Sequence, residues 1–236
     1  MKFWALLALA ASVAVQAIPQ AYKAQLHTRD GDVMKHLGYR VVAKRPNQLT
    51  SQAEAENIHK NGGKAVQSIG NGGRQTGSGV YILSKFQDYE NNDPEGKVQW
   101  DCVVTVDAEE WEKWTKVYVP ELFTFPEDVD DETKDTCQPL ELWKMIPVLV
   151  KNRQRFIEYV SPGATIKNTV IFSKLKGKLQ TTQGMLPPAL IDTGKVYLSQ
   201  CAERGTEANQ QIGKMGPADW GFVTSLPGYG KGSYKP

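Results

Sequence analysis

The sequence predicts an α+β fold: a compact, mixed and mainly antiparallel sheet core with about three helices. Three observations lead there. Short windows rich in β-branched and aromatic residues recur through most of the 236-residue chain, the composition that suits a pleated, half-buried surface. Helical windows are few and do not alternate with the strands, which argues against a wound parallel sheet. The length also suffices. Setting aside the first 17 of 236 residues leaves 219, and a chain of that size buries about 70% of its unfolded surface without needing disulfides to hold a core.

The opening segment is set aside for a reason. Lys2 gives a basic start, residues 3–15 (FWALLALAASVAV) form an almost unbroken apolar run, and Val15-Gln16-Ala17 puts small residues at a cleavage position. This is the three-part layout of a secretory signal peptide, too short to span a bilayer. It predicts a secreted, extracellular protein whose mature chain starts at Ile18. The expected organisation is a lead-in over residues 18–36, a single globular domain over 37–202, and a loosely packed tail over 203–236. That tail is rich in Gly, Pro and Lys and carries isolated aromatics at Trp220, Tyr229 and Tyr234.

Within the domain, residues 37–44 (LGYRVVAK) read as a strand. Thr50 or Ser51 caps a helix over 52–60, which Asn61-Gly62-Gly63 ends. Residues 61–79 are glycine-dense and read as a mobile surface loop leading into a short strand at 79–84. Residues 98–106 (VQWDCVVTV) make the best buried strand. One or two helical turns at 108–114 and a strand at 116–119 follow. The acid-rich run 127–135 lacks the glycine and alternating oxygens of a calcium loop and reads as a solvated loop. Residues 140–160 read as mostly helical with a break at Pro147, and Val148, Leu149, Phe156 and Tyr159 are expected on the core face. Strands at 169–175, around 185–188 and at 195–201 complete the set.

Composition narrows the function classes. There are 28 basic residues, one of them Lys2, against 26 acidic, so bulk charge supports neither nucleic-acid nor membrane binding. A monomer is expected. Three cysteines are an odd set for an oxidising compartment. Cys102 and Cys201 each lie in or beside a strand-like window, and a bridge between them would tie two distant parts of one sheet. Cys137, in a polar loop, is then the spare thiol. The histidines, His27, His36 and His59, match no zinc spacing. Gly70-Asn71-Gly72-Gly73 leads into a strand, not a helix, and so lacks the context of a nucleotide loop.

One constellation is more specific. Gly38-Tyr39-Arg40-Val41-Val42 is followed by the 52–60 helix, by Gly79-Val80-Tyr81-Ile82-Leu83-Ser84, and much later by Gln183 ahead of Met185-Leu186-Pro187-Pro188. In this order the chain resembles the ADP-ribosyltransferase family, in particular its secreted, toxin-like microbial members. The resemblance implies an ADP-ribosyltransferase-like fold and NAD as substrate, without a metal. It also implies roles: Arg40 grips the NAD diphosphate, Tyr81 and Ser84 shape the nicotinamide pocket, and Gln183 stands at the catalytic position. The chemistry suits those types. Arginine's planar fork binds phosphate oxygens bidentately, and cleaving the nicotinamide–ribose bond builds positive charge that a nearby carboxylate stabilises. Here the chain departs from the family, because Gln183 replaces a glutamate and carries no charge. Lys85-Phe86 also follow Ser84 where the family has a further serine and threonine.

Three function classes follow. The first is a secreted effector or toxin-like enzyme that cleaves NAD or modifies a host target. The second is a non-catalytic secreted virulence effector that binds a host protein. The third is a ribonuclease-like enzyme with histidine and glutamate as acid and base, for which the chain offers few histidines.

Overall fold

The computed structural model describes residues 28–29, 32–43, 63–65, 75–89, 99–126 and 139–235. The signal-like opening, the helix expected at 52–60, residues 70–73, the acid-rich run and Cys137 lie outside the described residues.

The strands in chain order are β1 (Thr28–Arg29), β2 (Asp32–Ala43), β3 (Val80–Leu83), β4 (Gln99–Asp107), β5 (Thr115–Tyr118), β6 (Leu122–Phe123), β7 (Leu140–Glu141), β8 (Thr169–Leu175), β9 (Lys178–Leu186) and β10 (Val196–Glu203). One sheet runs β10-β4-β2-β3-β9-β8-β5 with β1 paired to β2, while β6 and β7 form a small ribbon. Among the described residues every strand pairing is antiparallel except β5 with β8. That one needs a long crossover, which carries β6, β7 and a helix. The class is therefore α+β with a mainly antiparallel core, as expected. Four helices are present among the described residues: α1 (Ala108–Lys113), α2 (Pro147–Val160), α3 (Pro188–Ile191) and α4 (Glu207–Gly213), with a 3-10 turn at Gly221–Ser225.

Both faces of the sheet are covered. One carries Leu37, Val42, Val80, Ile82, Cys102, Val104, Phe172 and Leu186, packed under Trp111 and Trp114 of α1, under α3, and under Val223 of the 3-10 turn. The opposite face holds two separate clusters. Val117, Ile171 and Met185 pack on Phe156 and Ile157 of α2, whereas Tyr39, Val103 and Ala202 pack on Ile212 of α4. The gap between the two clusters lies over the middle strands.

Cys102 and Cys201 are register partners on β4 and β10 and form the disulfide foreseen from their sequence windows. Gly38 shows why β2 can approach β3. Its φ of +140° belongs to glycine, and a Cβ there would lie 2.2 Å from the Leu83 carbonyl oxygen.

Several expectations change. The lead-in already contains β1 and the start of β2. The tail is packed rather than loose: Ile212, Ala218 and Val223 are buried, and the Trp220 indole donates to the Leu37 carbonyl at 2.9 Å. Apolar residues scattered among Gly and Pro show no period, yet each can plug a separate gap. Of the glycine-dense 61–79 stretch, the described parts are pinned. Ala65 N–H donates to Val196 C=O at 2.9 Å, and Thr76 and Gly77 are buried. Pro147 does not interrupt a helix but starts one, where its missing N–H is no loss.

Candidate functional site

Residues directly opposite in an antiparallel pair share a face, and this decides which of the expected site residues meet. Tyr81 opposes Met185 and Leu83 opposes Gln183 across β3 and β9, while Gln183 opposes Ser173 across β9 and β8. Tyr81 and Gln183 therefore lie on one face, the one with the gap. Arg40 opposes Cys102, which belongs to the core cluster of the other face. The structure thus brings Tyr81 and Gln183 together and puts Arg40 across the sheet from them, buried to 8% exposure beside the disulfide. Ser84 follows the end of β3, half-buried, and its carbonyl accepts from Ala218 N–H at 2.8 Å.

Gln183 is sealed. At 5% exposure, its amide donates to Ser173 Oγ at 3.3 Å. Gln75 lies over the same hydroxyl, with Nε2 3.4 Å from Ser173 Oγ and 2.6 Å from the Lys174 carbonyl, while its Oε1 accepts from Lys176 N–H at 2.9 Å. Tyr81 is also committed to this loop. Its hydroxyl donates to Gly77 C=O at 2.8 Å and accepts from Thr76 N–H at 2.9 Å. Burial raises the phenol above its ordinary pKa. The segment 75–79 is thus a strap across the sheet, and Gly79 lets it pass close, since a Cβ there would lie 2.1 Å from Leu186 O.

Beside the strap opens a cavity of about 400 Å³, of the size that small-molecule sites have. Thr76 and Gly77 of the strap, Met185 of β9, Pro188 of α3, and Val150 and Arg153 of α2 line it, with Lys167 and Asp192 exposed at its edge. Arg153 is its distinctive group. Only 1% exposed, it donates through Nη1 to the carbonyls of Leu142 (2.7 Å) and Lys144 (3.2 Å), and Nη2 reaches the Met145 thioether at 3.7 Å. Its Nε is buried without a partner. Among the described residues no carboxylate pairs with it. Burial pushes its pKa down to about 10, because an uncompensated charge away from water is disfavoured.

Sequence reasoning missed Arg153, although a signal existed. Spaced four residues from Leu149 and three from Phe156, it sits on the stripe expected to face the core. A charged residue on that stripe marks either a buried ion pair or a site. The same stripe contains Asn152 and Ile157 as buried residues, whereas Val148, expected inward, is 59% exposed. Among the described residues no group of three or more His, Cys, Asp or Glu side chains gathers as a metal site, and no helix is long and apolar enough to cross a membrane.

No curated protein and no solved structure matches the chain. A family match spans residues 74–225, which takes in the strap, every cavity-lining residue and the disulfide but leaves out the strand bearing Arg40. On that match the chain belongs to DUF5910, a family of unknown function.

Proposed function

We propose that the chain is a secreted effector that acts by binding, with the cavity beside the 75–79 strap as its ligand site. One observation carries this reading: Arg40 and Gln183 lie on opposite faces of the sheet. The groups that NAD cleavage would draw together therefore do not converge, while an open cavity lies beside the strap, lined by Thr76, Gly77 and Met185 and not by Gln183. Secretion rests on the signal-like residues 1–17 and is consistent with a disulfide that oxidising conditions would preserve. The partner class is a small ligand, with a host protein as the target of the loaded effector.

Native mass spectrometry of the mature protein, purified from the cells that secrete it, tests this. A co-purifying small molecule, released on denaturation and missing from Ala189→Trp, is expected, because Ala189 is an exposed cavity-lining residue on α3. Loss of that difference would end the reading.

A second reading is kept by a specific observation. The strands bearing Arg40, Tyr81 and Gln183 are neighbours, in the order β2-β3-β9, which suits an ADP-ribosyltransferase-like enzyme with NAD as substrate and Tyr81, Ser84 and Gln183 around it. NAD turnover by the mature protein that disappears in Gln183→Ala would establish this reading over the first.

A further inference from the structure

We propose that the cavity takes a single-chain amphiphile with an anionic head, a fatty-acid-type carboxylate, whose head sits on Arg153 and whose tail leaves past Met145 and Val148. The proposal rests on the cavity being the ligand site, and three features of the molecule argue for this occupant.

The first is the guanidinium. A buried charge is ordinarily paired, yet Arg153 has two carbonyls, a thioether and an unpartnered Nε. A carboxylate supplies the missing counter-charge and can accept from a guanidinium edge through two oxygens. The Met145 thioether now covers Nη2. It is a weak acceptor on a flexible, 39% exposed side chain, so it can yield that position to a carboxylate.

The second is the start of α2. The helix has no side-chain N-cap and no acid in its first turn. Pro147 carries no N–H, and the Leu149 and Val150 N–H groups donate to Ile146 C=O at 2.9 and 3.0 Å, so it is the positive end of the helix dipole, more than any row of free donors, that lacks a compensating charge there. Met145 and Val150, on either side of that start, both line the cavity.

The third is the mouth. Met145, Ile146 and Val148 form a run of exposed apolar side chains continuous with the cavity through Met145 and Val150. An ordinary surface gains nothing from such a run, whereas a hydrocarbon tail emerging there would cover it. Inside, Ile166, Met185 and Pro188 offer the tail apolar walls. Lys167 and Asp192 at the edge carry opposite signs, so the rim adds no net charge.

The test is calorimetric titration of the wild-type mature protein with decanoate, decanol and decyltrimethylammonium, below their micellar concentrations, with inorganic phosphate as a fourth probe. Decanoate should bind at least about tenfold tighter than decanol, a difference of 1.4 kcal/mol, and the cation and phosphate should not bind. Arg153→Met, its folding checked by its melting curve, should bind decanoate and decanol alike. Equal binding of the two by the wild type would overturn the assignment of Arg153 while leaving the cavity as a ligand site. Binding of phosphate but not decanoate would replace the amphiphile with a polar anion and overturn the proposal. If no amphiphile binds, the proposal fails, and native mass spectrometry on Ala189→Trp then shows separately whether the cavity reading survives.

Discussion

Two arginines reach buried ground at opposite ends of this sheet, and the molecule treats them differently. Arg204 sends Nε and Nη2 to the two oxygens of Asp101, both at 2.9 Å, and Asn209 Nδ2 and Gln87 Nε2 complete the shell at 3.0 and 3.3 Å. Asp101 is fully buried, and both its carboxylate oxygens accept hydrogen bonds. That cluster joins β4, the end of β10 and α4 into a closed unit with the disulfide alongside. Among the described residues Arg153 has no such answer, and a cavity lies against it. Where a chain supplies its own counter-charge the charge is structural; the proposed ligand would give Arg153 the counter-charge that Arg204 already has.

Four experiments would break or sharpen this contrast. The largest effect is expected at the closed end. Opening Cys102–Cys201, which closes a loop with a sequence separation of 99, should lower stability by about 4 kcal/mol through the entropy returned to the unfolded chain. Denaturant midpoints with and without reductant measure this, and an unchanged midpoint would mean that the edge strand β10 is held by packing alone. Next, Arg204→Met should cost about 3 kcal/mol because it leaves Asp101 buried and uncompensated, whereas Arg153→Met should stay within about 1 kcal/mol of wild type, relief of an unpaired charge offsetting two lost carbonyl bonds. Equal losses from these two substitutions, read by chemical denaturation, would erase the contrast.

Between the two ends, Gly38→Ala should cost about 2 kcal/mol by forcing a side chain into a glycine-only φ against Leu83 O. A thermal melt unchanged by this substitution would show that β2 and β3 can move apart freely. The smallest effect is a pH dependence. Burial lowers the His36 pKa below its ordinary 6.5, so the unfolded chain binds the proton more readily than the folded one. His36 thus contributes stability that is present above about pH 6.5 and declines as pH falls below it. Midpoints at pH 7.5 and 5.5 should differ more in wild type than in His36→Gln.

Much of the fold was legible because its signals are local. The β-branched window around Cys102, the strand at 169–175 and the amphipathic window after Pro147 each declare themselves within ten or so residues. The parts that were not legible depend on register between distant segments. Tyr39 and Arg40 must point to opposite faces, but which of them joins Tyr81 is decided by pairing across the Gly38 irregularity in β2, and no local window contains that. The candidate site suffers in the same way. Tyr81 and Gln183 stand in short motifs and do share a face, yet the strap of Gln75 that seals Gln183 comes from a stretch whose glycines suggest mobility. Arg153 interrupts the apolar stripe of α2, and amphipathicity alone assigns no role to the residue that interrupts it.

The disulfide has a consequence for the order in which the chain is made. Synthesis runs from the N-terminus, so Cys137 emerges before Cys201 and is the first thiol that Cys102 can meet. The native pair spans 99 positions, and its second half arrives only after β8 and β9 have been produced. Oxidation during synthesis would therefore pass through a mispaired Cys102–Cys137 species, and reaching the native bond requires thiolate attack and exchange. Replacing Cys137 with serine should remove that detour, so that the oxidised form accumulates in a single phase without an isomerase.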